Sequence, residues 1–327
     1  MSSNNKPAEC KPFSSDLDAE LKVLFPKAEH GFVRVGEKNY VQNSIYQKQA
    51  DEIYNFRFRP DDVCLCTLVR SGTTVTKELV WLIVNDMNFE EARNRKLSER
   101  FPLFETDTIM EYNNIPEKYR SSKSIRCLLD SETGVRFIST HLAFSLIPRI
   151  LQSNCKIIYV MRNPKDMLVS YYHFSKTAKI LSYQGDFPKF CDYFMENQLQ
   201  WTPYMEHIKE AWAQRQNPNV LVLFYENIVN NIHETIRQIS SFLGKSYNDE
   251  EIAKLAKHVS FKEFQKNPMV NVVFAKGPSE FPPEEFIRKG VVGGWKDALP
   301  PEIIAKMDRW ISENLKGTDL VFPNDTH

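Results

Sequence analysis

Four short apolar runs constrain this chain more than any other feature of its sequence: Val63–Val69, Val135–Ser139, Lys156–Met161 and Val220–Tyr225. Each is rich in β-branched or aromatic side chains, too short for a buried helix, and continuously apolar instead of alternating. Strands covered on both faces of a parallel sheet read this way, because neither face meets water. Helical patterns lie among these runs. Thr74–Asn85 carries Leu79, Trp81, Leu82 and Ile83 behind a Ser-Gly-Thr-Thr start. Asn227–Leu243 spaces Ile228, Ile232, Ile236, Ile239 and Leu243 by threes and fours, and Gly244 follows as a stop. Met195–Gln216 is a third, with Pro203 expected at a first turn or a kink. Strands alternating with helices predict a single α/β domain, a central parallel sheet with helices on both faces. No Pro/Gly/Ser-rich linker divides it, so residues 1–15 read as a loose tail and 16–327 as the domain.

Charge excludes several partners. The 42 basic and 42 acidic residues cancel, so no global field draws the chain to nucleic acid or to an anionic membrane surface. Any anion site has to be a local cluster. No run approaches the roughly 18 apolar residues of a membrane helix, and the polar start has no signal-peptide pattern. Cys10, Cys64, Cys66, Cys127, Cys155 and Cys191 lack metal-ligand or disulfide-framework spacing. Cys64-Leu65-Cys66 reads as strand packing. Free thiols suit a reducing compartment, and a cytoplasmic protein is expected.

The strongest chemical signal is the segment from Cys66 to Thr74, which runs from a strand into a helix through Arg70-Ser71-Gly72-Thr73-Thr74. Gly72 and the small hydroxyl residues let successive backbone N–H groups converge on an anion. The helix N-terminus adds partial positive charge and Arg70 a full one. A plain strand–turn–helix with a Ser/Thr cap explains the local string equally well. The G-x-x-x-x-G-K-[ST] spacing of ATPases and kinases is absent, which disfavours Mg²⁺-dependent ATP chemistry.

Five blocks together carry a resemblance. Arg70–Thr74 continues into Glu78-Leu79-Val80-Trp81. Thr140-His141-Leu142 follows the second strand, and Arg162-Asn163-Pro164-Lys165-Asp166 closes the third ahead of Ser170-Tyr171-Tyr172. Phe224-Tyr225-Glu226 ends the fourth, and Arg288-Lys289-Gly290 precedes Gly293-Gly294-Trp295-Lys296. Their order and intervals over roughly residues 40–315 resemble the cytosolic sulfotransferases, which use 3′-phosphoadenosine-5′-phosphosulfate (PAPS) and require no metal. The stretch from Trp201 to Tyr225, with Tyr204 and His207, is particularly similar to insect members of the retinol dehydratase type.

The resemblance implies roles. Arg70, Ser71, Gly72, Thr73 and Thr74 would hold the 5′-phosphosulfate, Arg70 also facing the bridging oxygen of the breaking bond. Arg162 and Ser170, with the loop Arg288, Lys289 and Gly290, would bind the 3′-phosphate. Tyr225 and Phe261 would line the adenine. His141 would be the general base for a small hydroxyl acceptor, whose apolar pocket Phe101, Phe104, Tyr112, Phe144 and Tyr171 would line, if they are not simply core. Four other histidines, His173, His207, His233 and His258, have no such context.

Several positions depart from the family pattern. Arg70 replaces the usual Lys, Val75 the usual adenine-stacking Trp, and Ser139 the Lys that normally precedes Thr-His. Val75 and Ser139 favour an alternative, a PAPS- or PAP-binding protein with weakened or lost catalysis. The usual C-terminal dimer signature is also missing, since Lys296 is followed by Asp-Ala-Leu-Pro-Pro; dimerisation by that route is not supported.

Overall fold

The structure is a computed structural model, and it describes residues 6–28, 30–109, 133–178, 180–270 and 290–323. Their strands form two sheets. β1 (Cys10–Pro12), β2 (Phe32–Val35) and β3 (Tyr40–Asn43) make an antiparallel meander. β4 (Val63–Thr67), β5 (Phe137–Thr140), β6 (Lys156–Met161) and β7 (Val220–Phe224) make a parallel sheet in the order β5-β4-β6-β7.

The parallel sheet is the one expected. Its period of two sends Cys64, Cys66, Ile157, Tyr159 and Met161 into one core, while Val63, Leu65, Ile158 and Val160 enter the other. Covered faces account for the continuous apolar runs. Cys64 and Cys66 are fully buried core residues, and burial pushes both thiols up. The second strand lies later than its apolar run: Val135 is exposed, and Arg136 forms a buried pair with Asp62 at 2.6 Å. The edge strand β5 is covered by the chain before Phe104, through Ser139 N–H donating to Pro102 (3.0 Å) and Phe104 N–H to Ser139 (2.7 Å). That cover removes an open strand edge.

Three readings are corrected. Residues 10–12, expected in a loose tail, are β1, held because their backbone pairs with β2. Of the helix expected over Met195–Gln216 only Tyr204–Ala213 is helical, and a separate helix, Phe187–Met195, ends where it was expected to begin. Between them Asn197 and Trp201 adopt positive φ (58° and 66°), and Trp201 N–H donates to the Val41 carbonyl (2.8 Å). Pairing with β3 therefore overrides helix continuation, and Pro203 stands just ahead of the second helix. The helix expected over Asn227–Leu243 breaks at Asn231 into Tyr225–Asn230 and Ile232–Phe242.

No helix of the described residues is long and apolar enough to cross a membrane.

Candidate active site

In an open parallel sheet, the crevice lies beyond the carboxyl ends of the strands where the strand order reverses. Here that is the end of β4, flanked by the later strands β5 and β6. The residues singled out from sequence converge there. The anion loop follows β4, Thr140 ends β5 with His141 next, Arg162 follows β6 and Tyr225 follows β7.

The loop is built for an anion. Arg70 and Gly72 take positive φ (66° and 93°), which turns the chain sharply into helix Thr73–Val84. No side chain caps this helix, so its first N–H groups lack intrahelical acceptors and face the crevice with the positive end of the dipole. Ser71 Oγ is buried beside the Tyr204 hydroxyl. That hydroxyl donates to the Arg162 carbonyl, and Ser71 Oγ makes no well-formed hydrogen bond. Buried polar groups are rarely left so, and an anion at the loop would satisfy this one. Thr73 Oγ1 lies 2.7 Å from Thr67 Oγ1, tying helix to strand.

Gly72 touches Tyr225: a Cβ there meets Cδ2 of the ring at 2.5 Å. Gly72→Ala is therefore expected to destabilise by about 1–3 kcal/mol through strain at positive φ and to displace Tyr225. A denaturation midpoint and a nucleotide titration check it; an alanine variant unchanged in both refutes this close fit.

Beside the loop stands a second cationic group. Arg162 donates from Nη1 to the Arg70 carbonyl (2.9 Å) and stacks 4.4 Å from the Tyr225 ring centroid. Its Nε is buried without a partner, a second orphan donor at the crevice. The Arg70 guanidinium is turned the same way, with Nε donating to Ser170 Oγ (3.1 Å) over Phe174. Arg70, Arg162 and Ser170 are thus brought together, and Asn163 at the N-cap of helix Pro164–Thr177 makes the turn between the last two. Gly290 packs on Phe261, where a Cβ would lie 2.5 Å from the ring, and that ring is 39% exposed. Arg288 and Lys289 lie outside the described residues, as does Tyr112.

His141 stands across the crevice. Its Nδ1 lies 2.9 Å from the Thr67 carbonyl and 3.2 Å from Thr67 Oγ1. A carbonyl only accepts, so Nδ1 carries the hydrogen and Nε2 keeps its lone pair. Burial lowers the His141 pKa to about 4, so the ring is neutral at physiological pH. The Trp201 ring borders it edge-on at 6.1 Å, and Tyr171 stands behind Trp201.

Sequence reasoning missed the residues that hold this histidine. Glu105 accepts from His141 N–H (2.6 Å) and from Thr140 Oγ1 (2.8 Å), and burial raises its pKa to about 7. His207 donates from Nε2 to the His141 carbonyl (3.1 Å) and accepts at Nδ1 from the Tyr159 hydroxyl (2.7 Å). Asp166 accepts from the N–H groups of Gly293 (2.7 Å) and Trp295 (3.1 Å), fastening the C-terminal block to helix Pro164–Thr177. No local signal marks these contacts, except that Asp166 and Gly293-Gly294-Trp295 belong to matched blocks. Ser139 carries no charge into the crevice and donates its hydroxyl to the Pro102 carbonyl (2.8 Å). Phe101, Phe104, Phe144 and Tyr171 are buried core residues.

Comparison with known proteins gives the family of the chain. A family model described as Sulfotransferase domain matches residues 60–319. Luciferin sulfotransferase of Photinus pyralis is 36% identical over 304 residues, which span 89% of this chain and 81% of that protein. Sulfotransferase 1E1 of Bos taurus is 31% identical over 285 residues, 85% of this chain and 92% of that one. Among solved structures, retinol dehydratase in complex with androsterone and inactive cofactor PAP is 34% identical with a TM-score of 0.84. The match covers 98% of this chain and 99% of that one. A retinol dehydratase complex with retinol and PAP matches with the same score and identity over 97% and 99%.

Proposed function

The chain belongs to the sulfotransferase family, and on that footing we propose that it transfers the sulfuryl group of PAPS to a hydroxyl of a small lipophilic acceptor, with His141 as general base. The observation that carries this reading is the fixed tautomer of His141, whose free Nε2 stands across the crevice from the anion loop. The orphan donors of Ser71 and Arg162 and the uncapped helix after Gly72 support the nucleotide half. PAPS supplies an activated sulfuryl group, so the chain's own residues have only to bind, orient and move one proton. Ser71, Gly72, Thr73 and Thr74 hold the 5′ end with backbone N–H groups and hydroxyls. Arg162, Ser170 and Arg70 gather positive charge and a hydroxyl for the 3′-phosphate, with Arg288, Lys289 and Gly290 assigned to the same phosphate. Tyr225 and Phe261 flank the base. His141 Nε2 takes the acceptor proton as its oxygen bonds to sulfur and the bond from sulfur to the phosphate oxygen breaks.

A lipophilic alcohol or phenol suits the aromatic border of Trp201 and Tyr171 beside His141. Retinol dehydratase holds androsterone or retinol beside PAP, which favours the same acceptor class here. The free thiols of Cys10, Cys64, Cys66, Cys155 and Cys191 fit a cytoplasmic protein.

Nucleotide binding tests the reading first. Adenosine 3′,5′-bisphosphate (PAP) is expected to raise the melting temperature by several degrees at concentrations near 100 Kd, a stabilisation of roughly 2.7 kcal/mol. AMP, which lacks the 3′-phosphate, is expected to do so far less. Equal shifts from the two nucleotides sink the assignment of Arg162 and Ser170. An acceptor screen with PAPS over phenols, sterols, retinoids and catechols then decides the acceptor. PAP binding without transfer to any of them would favour a binding protein over an enzyme.

A further inference from the structure

Moving a sulfuryl group builds negative charge at the phosphate oxygen it leaves and redistributes it over the sulfuryl oxygens. Preorganised donors at that position contribute more to rate than most other devices. The two described arginines of the crevice are turned toward the 3′-phosphate side, Arg70 onto Ser170 and Arg162 onto Tyr225. On the other side of the loop, where His141 stands, Ser139 is neutral and bonded to Pro102. A different residue brings charge to that side.

Lys77 lies one turn past Thr73 on helix Thr73–Val84, which packs against β5. Helical side chains lean toward the helix N-terminus, so the ammonium is directed back toward the anion loop. Nζ lies 5.7 Å from the Phe101 ring centroid, and among the described residues it makes no ion pair and no hydrogen bond. Its charge acts on both His141 and Glu105. A lysine held for stability at such a place would bridge to a carboxylate. The nearby carboxylates are already engaged. Glu105, the carboxylate that acts on Lys77, accepts from His141 N–H and Thr140 Oγ1; Glu78, the next residue on the helix, faces away and pairs with Arg100 (2.7 Å) and His258 (2.8 Å). Lys77 is thus a half-buried cation on the helix that follows the anion loop, within electrostatic reach of the base.

We propose that Lys77 is a catalytic residue of the transfer, its ammonium donating to the sulfuryl oxygens and stabilising the charge that develops as the bond from sulfur to the phosphate oxygen breaks. The proposal rests on the function proposed above. Lys77 keeps its proton throughout; the acceptor proton goes to His141 Nε2 and the bond electrons leave with PAP. Burial, with Arg100 adding repulsion and Glu105 partly offsetting it, lowers the Lys77 pKa to about 7. The cation is therefore present below that value and is lost as pH rises through it.

Two variants test the role, assayed with PAPS and the acceptor that the parent turns over fastest, alongside calorimetric titrations of PAP and PAPS. Lys77→Gln is expected to lower kcat by about 10²–10³-fold, to leave PAP affinity within threefold, and to weaken PAPS relative to PAP. Lys77→Arg, charged at every working pH, is expected to retain most of the turnover and to lose the decline in kcat that the parent shows above about pH 7. An active parent matched by Lys77→Gln overturns the role of Lys77 alone. So does a decline that persists in Lys77→Arg, which would belong to Glu105, and so does a parallel loss of turnover, PAP affinity and melting temperature. A parent that binds neither nucleotide sinks the reading of the whole site. If the parent binds both without transfer, the PAPS-to-PAP affinity ratio in parent and Lys77→Gln still decides whether Lys77 meets the sulfuryl group.

Discussion

Replacing His141 with Ala is expected to lower turnover by about 10²–10⁴-fold, the range a positioned general base supplies. PAP affinity is expected to stay within a few-fold, because the ring stands on the opposite side of the crevice from Arg162 and Ser170. The fixed tautomer makes the expectation specific. Nδ1 is committed to the Thr67 carbonyl at 2.9 Å, and only Nε2 is left to take a proton. Side-by-side turnover and PAP titrations decide the matter. Full activity at neutral pH in the variant returns His141 to a structural role, and PAP binding lost to the same extent as turnover means the fold was damaged. The acid side offers an independent check. His141 is protonated only as pH falls toward about 4, so its limb in the kcat/KM profile lies well below the ordinary histidine value of about 6.5.

The same buried groups set the dependence of stability on pH. His141 and His207 both have pKa values lowered to about 4, chiefly by burial. The stability they contribute is present above the unfolded value of about 6.5 and is lost as pH falls through 4. Glu105 is raised to about 7 and acts oppositely: its contribution is present below the unfolded value of about 4.3 and is lost as pH rises through 7. The windows overlap, so these terms offset one another in mild acid.

A second large effect is expected far from the base. Glu78→Ala should destabilise the fold by about 3–5 kcal/mol, because it leaves the buried Arg100 guanidinium without its counter-ion. Both side chains of this pair are 0% exposed and meet at 2.7 Å. Arg100 also stacks over Trp81 at 4.4 Å, and His258 donates to the other Glu78 oxygen. Glu78 lies on the helix whose N-terminus forms the anion loop, so nucleotide affinity should fall with stability. Denaturant midpoints of Glu78→Ala and of the doubly apolar Glu78→Leu/Arg100→Met check the cause. The double replacement should cost much less than the single one. A single variant within about 1 kcal/mol of the parent would show that the pair is not needed to hold the helix.

Much of the fold was legible because its signals are local. The strands of the parallel sheet carry their burial in consecutive residues, and Gly72 with its hydroxyl neighbours marks the turn into helix Thr73–Val84. The antiparallel meander was missed because β1, β2 and β3 are three or four residues long, too short for a pattern to emerge. The helix expected over Met195–Gln216 is real only from Tyr204, after Pro203. Its first part is broken by a backbone bond to Val41, some 160 residues earlier in the chain. Tertiary pairing outweighs local propensity there.

From the sequence alone came the residue types and their order: a parallel α/β sheet, an anion loop after its first strand, and a histidine after its second. Which of those groups act together was decided only in three dimensions. The His141 tautomer depends on Thr67, 74 residues away, and its backbone is held by Glu105 and His207, 36 and 66 residues away. Arg70, expected at the phosphosulfate, donates to Ser170, 100 residues on. Lys77, unremarked in the sequence, stands on an almost wholly buried helix, where burial and Arg100 lower its pKa and Glu105 partly offsets them. Charge, protonation and tautomer depend on burial and on distant partners, and neither is written in the spacing of neighbouring residues.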